Sequence, residues 1–150
     1  MSIFGDKGWS ENLPGDFLHA NVDYYTELQE VYNNSRINLN QTSFQMPTAV
    51  NQRVFDVPLS GGFLITDEQE DMNTLFNTGN DCVTYDCVDE IPELVKYFQN
   101  NSPIREKITK RAAEHILRHH TYFRRLETMV TKLKKEYKHN FAVPAEVGLN

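Results

Sequence analysis

The sequence predicts an α/β fold with a parallel sheet, because segments with strand and helix periodicity alternate along the chain. The central stretch 45–67 shows this best, since it contains a helix, a double glycine and a strand. Three valines recur at helical spacing on one face: Val50, Val54 and Val57. Gly61-Gly62 allows a sharp turn, and the apolar run 63–65 is typical of a parallel strand covered on both faces. Residues 36–40 predict another strand just upstream.

The N-terminal part adds two short strands and one helix. Residues 1–5 are predicted as a strand followed by a turn, and 16–20 as a second strand after the turn signal Pro14-Gly15. Asp23 or Thr26 can cap a helix that runs to about Asn33. Its expected inward stripe is Tyr25, Leu28 and Tyr32. In the central stretch, Pro58 is predicted to interrupt the helix.

The C-terminal part predicts one more strand and four helices. An acidic loop from Asp67 leads into a short helix that ends at Gly79, and strand 82–86 follows. Asp89-Glu90 opens a helix whose inward residues are Ile91, Leu94, Val95 and Phe98. Ser102-Pro103 starts another helix that runs to about His119. The last helix is amphipathic and carries Tyr122, Leu126, Met129, Val130, Leu133 and Tyr137.

Length and composition are those of one ordinary globular domain. The chain has 150 residues, of which 39% are hydrophobic and 24% charged. No apolar run approaches the roughly 20 residues of a membrane span, and no signal peptide is visible. Cys82 and Cys87 lie at odd spacing along one predicted strand, so they point to opposite faces and are expected to stay reduced. We therefore expect a cytoplasmic protein without a transmembrane segment.

Charge is distributed unevenly along the chain. The net charge is −6, yet residues 103–150 hold 11 Lys and Arg against 5 Asp and Glu. A basic tail can bind nucleic acid or a membrane surface, or it can be a solvated helix face packed against an acidic body. The third interpretation is favoured, and the overall acidity argues against a nucleic-acid partner.

Polar residues on the central helix could bind a nucleotide. Asn51, Arg53 and Asp56 lie away from the valine face; Arg grips phosphate oxygens, and a carboxylate accepts hydrogen bonds from ribose hydroxyls. Their spacing equally fits an Arg53–Asp56 surface pair at i, i+3. The residues alone leave both interpretations open.

Metal binding is not predicted. His115 and His119 are one helical turn apart and His120 follows, but Glu114 lies on another face of the helix. The acidic residues 67–71 lack the spacing and the closing Glu of an EF-hand loop and are expected to cap a helix. The chain also contains no Gly-rich dinucleotide fingerprint, no phosphate loop and no nucleophile elbow.

Several ordered blocks resemble one enzyme family. They include 3–9, 22–28, 31–40, 49–56, 61–67, 71–76 and 119–126. Together they resemble the C-terminal domain of CgeB-like glycosyltransferases over about residues 2–135. These enzymes consist of two Rossmann-like halves, the arrangement called GT-B. The resemblance implies a Rossmann-like, three-layer parallel sheet with helices on both faces.

The resemblance also implies a donor site for a nucleotide-diphosphate sugar, which is a substrate rather than a cofactor. Asp56 occupies the place of the carboxylate that binds the ribose. Thr48 stands where related transferases often carry a Glu near the sugar. Arg53 and the backbone N–H groups around Ala49, Val50 and Asn51 would face the diphosphate, and the loop before Tyr24 would lie near the base.

Two parts of such an enzyme are missing from the sequence. They are the acceptor-binding half, which carries the usual catalytic base, and the first strand and helix of the donor half, which lie between the strands at 2–5 and 36–40. We therefore expect a donor-binding domain at 1–138 with a flexible tail at 139–150. This fragment would be inactive alone, would have unknown catalytic residues and would form a homodimer through its exposed edge or its last helix. The alternative is a non-catalytic interaction module that docks a partner through its last helix.

Overall fold

The computed structural model of the protein describes residues 1–4, 7–12, 14–42, 45–46 and 48–137. The predicted tail at 139–150 lies outside these residues, as do Gly5 and Asp6 in the first predicted strand and turn. The chain divides into two compact units, Met1–Ala113 and Glu114–Asn150. No helix of the described part is long and apolar enough to cross a lipid bilayer.

The described strands are all parallel to their neighbours and lie in the first unit. β1 (Ile3–Phe4) pairs with β2 (Leu18–His19) in a two-stranded sheet. β3 (Asn38–Asn40), β4 (Leu64–Asp67) and β5 (Val83–Tyr85) form a three-stranded sheet with β4 at its centre. The α/β class predicted from periodicity is therefore confirmed, with the parallel strands divided between two sheets.

Helices connect and follow the strands, as parallel pairing requires. The connecting helices are α1 (Leu28–Asn34) before β3, α2 (Arg53–Leu59) before β4 and α3 (Met72–Leu75) before β5. After β5 come α4 (Ile91–Gln99), α5 (Ser102–His119) and α6 (Tyr122–Glu136). The predictions for these last three helices are confirmed to within a few residues.

The division into two sheets concerns the strand that the sequence lacks between the strands at 2–5 and 36–40. The missing strand allows the prediction that the first strand closes the gap by pairing directly with the strand at 36–40, and the described strands contradict it. β1 pairs with β2 and β3 pairs with β4, and no ladder joins β1 to β3 among the described residues. β3 is therefore an edge strand, and Leu39 on it is 53% exposed.

The core is built around β4. Ile65 is fully buried and lies in register between Leu39 of β3 and Val83 of β5. It belongs to a cluster of buried side chains from β4, β5, α4 and α5: Phe63, Ile65, Val83, Tyr85, Phe98 and Ile108. Side chains alternate along a strand, so Leu64 and Thr66 point to the opposite face.

The valine face predicted for the central helix is partly confirmed. Val54 and Val57 are both 1% exposed, and α2 contacts β3 and β4. Val50, however, precedes the helix, because α2 begins at Arg53. The prediction that Val50 shares the helical face is therefore wrong. Asn51 also precedes the helix, and its side-chain Oδ1 accepts a hydrogen bond from Arg53 N at 3.1 Å.

Pro58 does not interrupt α2 where the pattern suggested. The helix continues through Pro58 and ends at Leu59. A proline lacks the N–H that would bond to the carbonyl four residues earlier, but α2 ends one residue later, so only this bond is lost. Ser60 N then closes the helix by donating to the carbonyl of Asp56 at 3.0 Å.

The double glycine after α2 is required by close packing. Gly61 has a φ of +82°, a conformation that favours glycine. A Cβ on Gly62 would lie 2.6 Å from the carbonyl oxygen of Tyr32 and 3.0 Å from a methyl group of Val57. The turn therefore brings the end of α1 and the end of α2 against the start of β4.

The helix predicted from Asp23 or Thr26 begins later than expected. α1 starts at Leu28, and Tyr25 lies before it, 90% exposed instead of inward. Asp23 caps the preceding turn, since its Oδ1 accepts hydrogen bonds from the backbone N–H groups of Tyr25 and Thr26. The Thr26 hydroxyl donates to the same oxygen, and these bonds lower the pKa of Asp23.

The two cysteines occupy different environments. Both are free thiols; Cys82 is buried and Cys87 is exposed. Burial raises the pKa of the Cys82 thiol to about 11. The protonated Cys82 thiol stabilises the folded state at pH values below the ordinary thiol pKa. This stabilisation is lost as pH rises towards 11, because the folded state holds the proton more tightly than the unfolded state does.

We predict that Ile65→Ala lowers the free energy of unfolding by about 2–5 kcal/mol, because it leaves a cavity beside a fully buried strand position. Leu39→Ala, its register partner on the edge strand, is the matched control and should change stability by about 0.5 kcal/mol or less. Urea unfolding followed by circular dichroism measures both. Equal losses in the two variants would mean that β4 is not the centre of the core.

Candidate functional site

Polar residues gather where the three-stranded sheet ends. β3, β4 and β5 are parallel, and they end at Asn40, Asp67 and Tyr85. The carboxyl ends of parallel strands meet at one edge, which is where α/β proteins bind ligands. The next helix along the chain after β3 is α2, which begins at Arg53.

Asn40 and Asn51 form a reciprocal amide pair at this edge. Asn40 Nδ2 donates to Asn51 Oδ1 at 3.2 Å, and Asn51 Nδ2 donates to Asn40 Oδ1 at 2.9 Å. Asn40 Nδ2 also donates to the hydroxyl of Thr66 at 2.9 Å. Asn40 and Thr66 are 3% and 1% exposed, so these bonds satisfy polar groups that water cannot reach. The pair therefore ties the start of α2 to β3 and β4.

Asp67 is the acceptor at the centre of the same network. Its Oδ1 accepts hydrogen bonds from the backbone N–H and hydroxyl of Thr42, at 2.9 and 3.0 Å, and from the Thr66 hydroxyl at 3.1 Å. Gln69 Nε2 donates to Oδ2 at 2.7 Å. This carboxylate therefore serves to hold the loops after β3 and β4 in place.

Tyr85 closes the network from β5. Its hydroxyl donates to the carbonyl oxygen of Asn40 at 3.1 Å across the sheet. Burial raises the pKa of Tyr85, and the nearby Asp67 carboxylate raises it further. The hydroxyl thus stays a protonated donor, and all three strands are joined at their carboxyl ends.

A second polar group lies on the outward face of α2. The hydroxyl of Tyr24 donates to Asp56 Oδ2 at 3.0 Å, and Gln52 Nε2 donates to the same hydroxyl at 2.7 Å. Asp56 is half-buried, whereas Tyr24 and Gln52 are exposed. These hydrogen bonds hold the chain before α1 against Asp56, which is one of the candidate site residues from the sequence.

Arg53 and Asp56 are one helical turn apart but do not form the predicted surface pair. No ion pair joins them among the described contacts; both lie near the hydroxyl of Tyr32. Burial raises the pKa of Tyr32, the positive charge of Arg53 opposes this rise, and Asp56 adds to it. The exposed guanidinium and the half-buried carboxylate therefore share one electrostatic neighbourhood.

Residues 48–50 form the approach to α2 without belonging to it. Thr48 is exposed, and its carbonyl accepts a hydrogen bond from Asp71 N at 3.1 Å. Ala49 and Val50 are half-buried. Of the predicted site residues, the structure thus brings Asp56 into contact with Tyr24, whereas Ala49, Val50 and Asn51 lie before the helix and not in its first turn.

Sequence reasoning missed most of the network at the strand ends. Asn51 was identified as a candidate, but Asn40, Thr42, Thr66 and Tyr85 were not. The available signal was that two neighbouring predicted strands, 36–40 and 63–67, both end in polar residues. Parallel register places such ends side by side.

The three histidines considered in the sequence as metal ligands belong to the second unit. His115 Nε2 and His120 Nε2 are 3.3 Å apart, and the ring of His119 lies 4.8 Å from that of His115. In the described part of the chain, no group of three or more His, Cys, Asp or Glu residues could hold a metal ion. An open groove beside Arg36, Arg105 and Lys110 lies where the chain enters β3 and β4, at the opposite end of the sheet.

Comparison with protein families gives one finding. A family model described as glycosyl transferase-like matches residues 1–131. The match covers both sheets, α1 to α5 and most of α6. It therefore includes every residue of the two polar groups described above. Among curated proteins, none matches the chain.

We predict that Asn40→Ala lowers the free energy of unfolding by about 1–3 kcal/mol, since it removes the buried hydrogen bond to the Thr66 hydroxyl and both bonds of the amide pair with Asn51. Asn34→Ala, at the exposed end of α1, is the control and should cost about 0.5 kcal/mol or less. A double-mutant cycle with Asn51→Ala should show a coupling of at least about 0.5 kcal/mol, measured by urea unfolding. Additive losses would show that the amide pair contributes nothing.

Proposed function

The chain belongs to the glycosyl transferase-like family, and on that premise we propose that it is the donor-binding domain of a glycosyltransferase. In this proposal it binds a nucleotide-diphosphate sugar, and the sugar passes to an acceptor held elsewhere. The observation that carries the proposal is the carboxylate of Asp56, which accepts a hydrogen bond from Tyr24 and lies on a helix that starts at the carboxyl edge of a parallel sheet. Vicinal ribose hydroxyls are donors, and a fixed carboxylate is the acceptor that binds them in nucleotide sites.

The hydrogen bonds of the two carboxylates support this assignment. Asp67 accepts four hydrogen bonds within the described chain, whereas Asp56 accepts one, from Tyr24. A carboxylate has about four acceptor positions on its two oxygens. Oδ1 of Asp67 is therefore fully used by its structural role, and Asp56 retains more acceptor capacity for a ligand.

The diphosphate would lie towards Arg53 and the approach to α2. An exposed guanidinium can bind two phosphate oxygens at once. In the proposal Arg53 supplies this contact, together with backbone N–H groups at Ala49, Val50 and Asn51. Thr48 would lie towards the sugar, and Tyr24 towards the base and ribose. These groups would stabilise the negative charge that develops on the departing nucleoside diphosphate.

Finer features of the enzyme are also part of the proposal. We propose the CgeB-like branch, a GT-B arrangement and hexosyl transfer, with the acceptor and the catalytic base supplied by a second half that this sequence does not contain. The free thiols favour a reducing, cytoplasmic location.

Self-association through β3 is a further part of the proposal. β3 has a strand neighbour on one side only among the described residues, and Leu39 is exposed on it. Unpaired N–H and C=O groups on such an edge can pair with the same edge of a second copy. Light scattering over a concentration series tests this, with Leu39→Lys as the variant that should abolish a dimer.

A non-catalytic interaction module is the second candidate. It is favoured by α6, in which no described residue is buried. A module of this kind would use the helix to dock a partner and would not need the donor site. Nucleotide binding separates the two candidates, since only the donor domain should bind a nucleoside diphosphate.

We predict that UDP, GDP, ADP or TDP shifts the amide resonances of Ala49–Arg53 and Asp56 in a titration followed by NMR. Asp56→Ala should weaken that binding by about 1–3 kcal/mol while the fold is kept, because it removes hydrogen bonds to a charged group. Glu93→Ala, an exposed carboxylate on α4, is the matched control and should bind as the unmodified chain does. Shifts confined to residues 103–119, or unchanged affinity in Asp56→Ala, would refute the site.

We predict that the 150-residue chain alone binds a nucleotide sugar but releases no nucleoside diphosphate from it. The physical reason is that leaving-group stabilisation acts only when an acceptor is positioned and activated. An assay coupled to nucleoside diphosphate release, with a panel of donor sugars, measures this. Turnover by the chain alone would show that it carries its own acceptor site.

A further inference from the structure

α6 carries an apolar face that nothing in the described chain covers. Its side chains are between 36% and 81% exposed, and they include three aromatic rings: Tyr122, Phe123, Leu126, Met129, Val130, Leu133 and Tyr137. At 3.6 residues per turn these positions span about 120° of the helix circumference. This is the width of face that a surface helix normally buries. We therefore expect this apolar face to be covered by a partner from outside the described chain.

The rest of the helix is basic. Between Tyr122 and Glu136 there are five Lys and Arg residues against two Glu. Arg125 and Lys132 border the apolar face on one side, and Lys134 borders it on the other, by the same helical spacing. Arg124, on another side of the helix, is paired with Glu127 at 2.9 Å. A partner that complements this helix has an apolar region, which contacts the apolar face, and anionic groups next to it, which contact the bordering cations.

A second copy of the helix fits these charges poorly. Tyr122, Leu126, Met129 and Leu133 follow the alternating spacing of a coiled-coil seam. In that register Arg125 and Lys132 both fall at the flanking g positions, where an antiparallel pair would place like charges opposite each other. Glu136 falls on the seam itself. The helix thus lacks the complementary charges that favour pairing with itself.

We propose that α6 docks onto the surface of an anionic lipid bilayer. Its apolar face would enter the boundary between headgroups and acyl chains, and Arg125, Lys132 and Lys134 would contact anionic headgroups. The 15-residue helix is about 22 Å long, shorter than the roughly 30 Å hydrocarbon core, and therefore lies in the membrane plane. Aromatic side chains at both ends suit the same interfacial depth.

Vesicle co-sedimentation of the full chain tests the proposal. We expect binding to vesicles of mixed phosphatidylcholine and phosphatidylglycerol, weaker binding to phosphatidylcholine alone, and a loss of binding at high salt. Arg125→Glu with Lys132→Glu should reduce partitioning at least tenfold, since each cation near the surface contributes about fivefold. Lys96→Glu with Lys107→Glu changes the net charge equally on other helices and should leave partitioning nearly unchanged.

A second pair of variants tests the apolar face. Leu126→Gln with Met129→Gln should also reduce partitioning at least tenfold, whereas the exposed pair Leu39→Gln with Leu117→Gln should not. All four substituted positions are exposed, so the fold is expected to survive, which circular dichroism checks. Equal binding to neutral and anionic vesicles, or no binding to either, would overturn the proposal. A dimer in sedimentation equilibrium that disappears only in the α6 pair would instead assign the face to a second copy.

Discussion

The parallel register of β3, β4 and β5 is the constraint on which the rest of the first unit depends. It places Ile65 between Leu39 and Val83, and this makes β4 the centre of the core. The same register brings the ends of the three strands to one edge. A shift of one residue would turn Ile65 to the other face and separate Asn40 from Thr66. Core packing and the polar network are therefore two consequences of one pairing.

The network in turn determines where α2 begins. Asn51 bonds Asn40 on one side and Arg53 N on the other, so the helix can start only where this amide lies. Asp56 follows at the third position after Arg53 and reaches Tyr24. The carboxylate that we propose as a ligand contact is thus positioned by the buried Asn40–Asn51 amide pair.

Local sequence patterns predicted the helices and strands, whereas the register between distant strands determines the geometry of the candidate site. Periodicity identified α4, α5 and α6 and the buried strand at 63–65, because each is specified by its own residues. It placed the start of α2 too early, since Val50 continues the apolar spacing but the Asn40–Asn51 pair lies outside the helix. Asn40 and Thr66 are 26 positions apart, and no local window relates them. The division into two sheets is likewise a property of pairing between distant segments.

An aspartate beside a diphosphate requires a compensating charge. Asp56 and a bound diphosphate would repel each other across a short distance, and this repulsion would oppose the ribose hydrogen bonds. Arg53 lies in the same neighbourhood, where its charge already acts on Tyr32 together with that of Asp56. Because Arg53 is exposed and forms no ion pair with Asp56, it can turn towards phosphate oxygens by giving up only its hydrogen bond to Tyr32. In the proposed site, Asp56 can therefore contact the ribose while Arg53 contacts the phosphates, which a fixed Arg53–Asp56 ion pair would prevent.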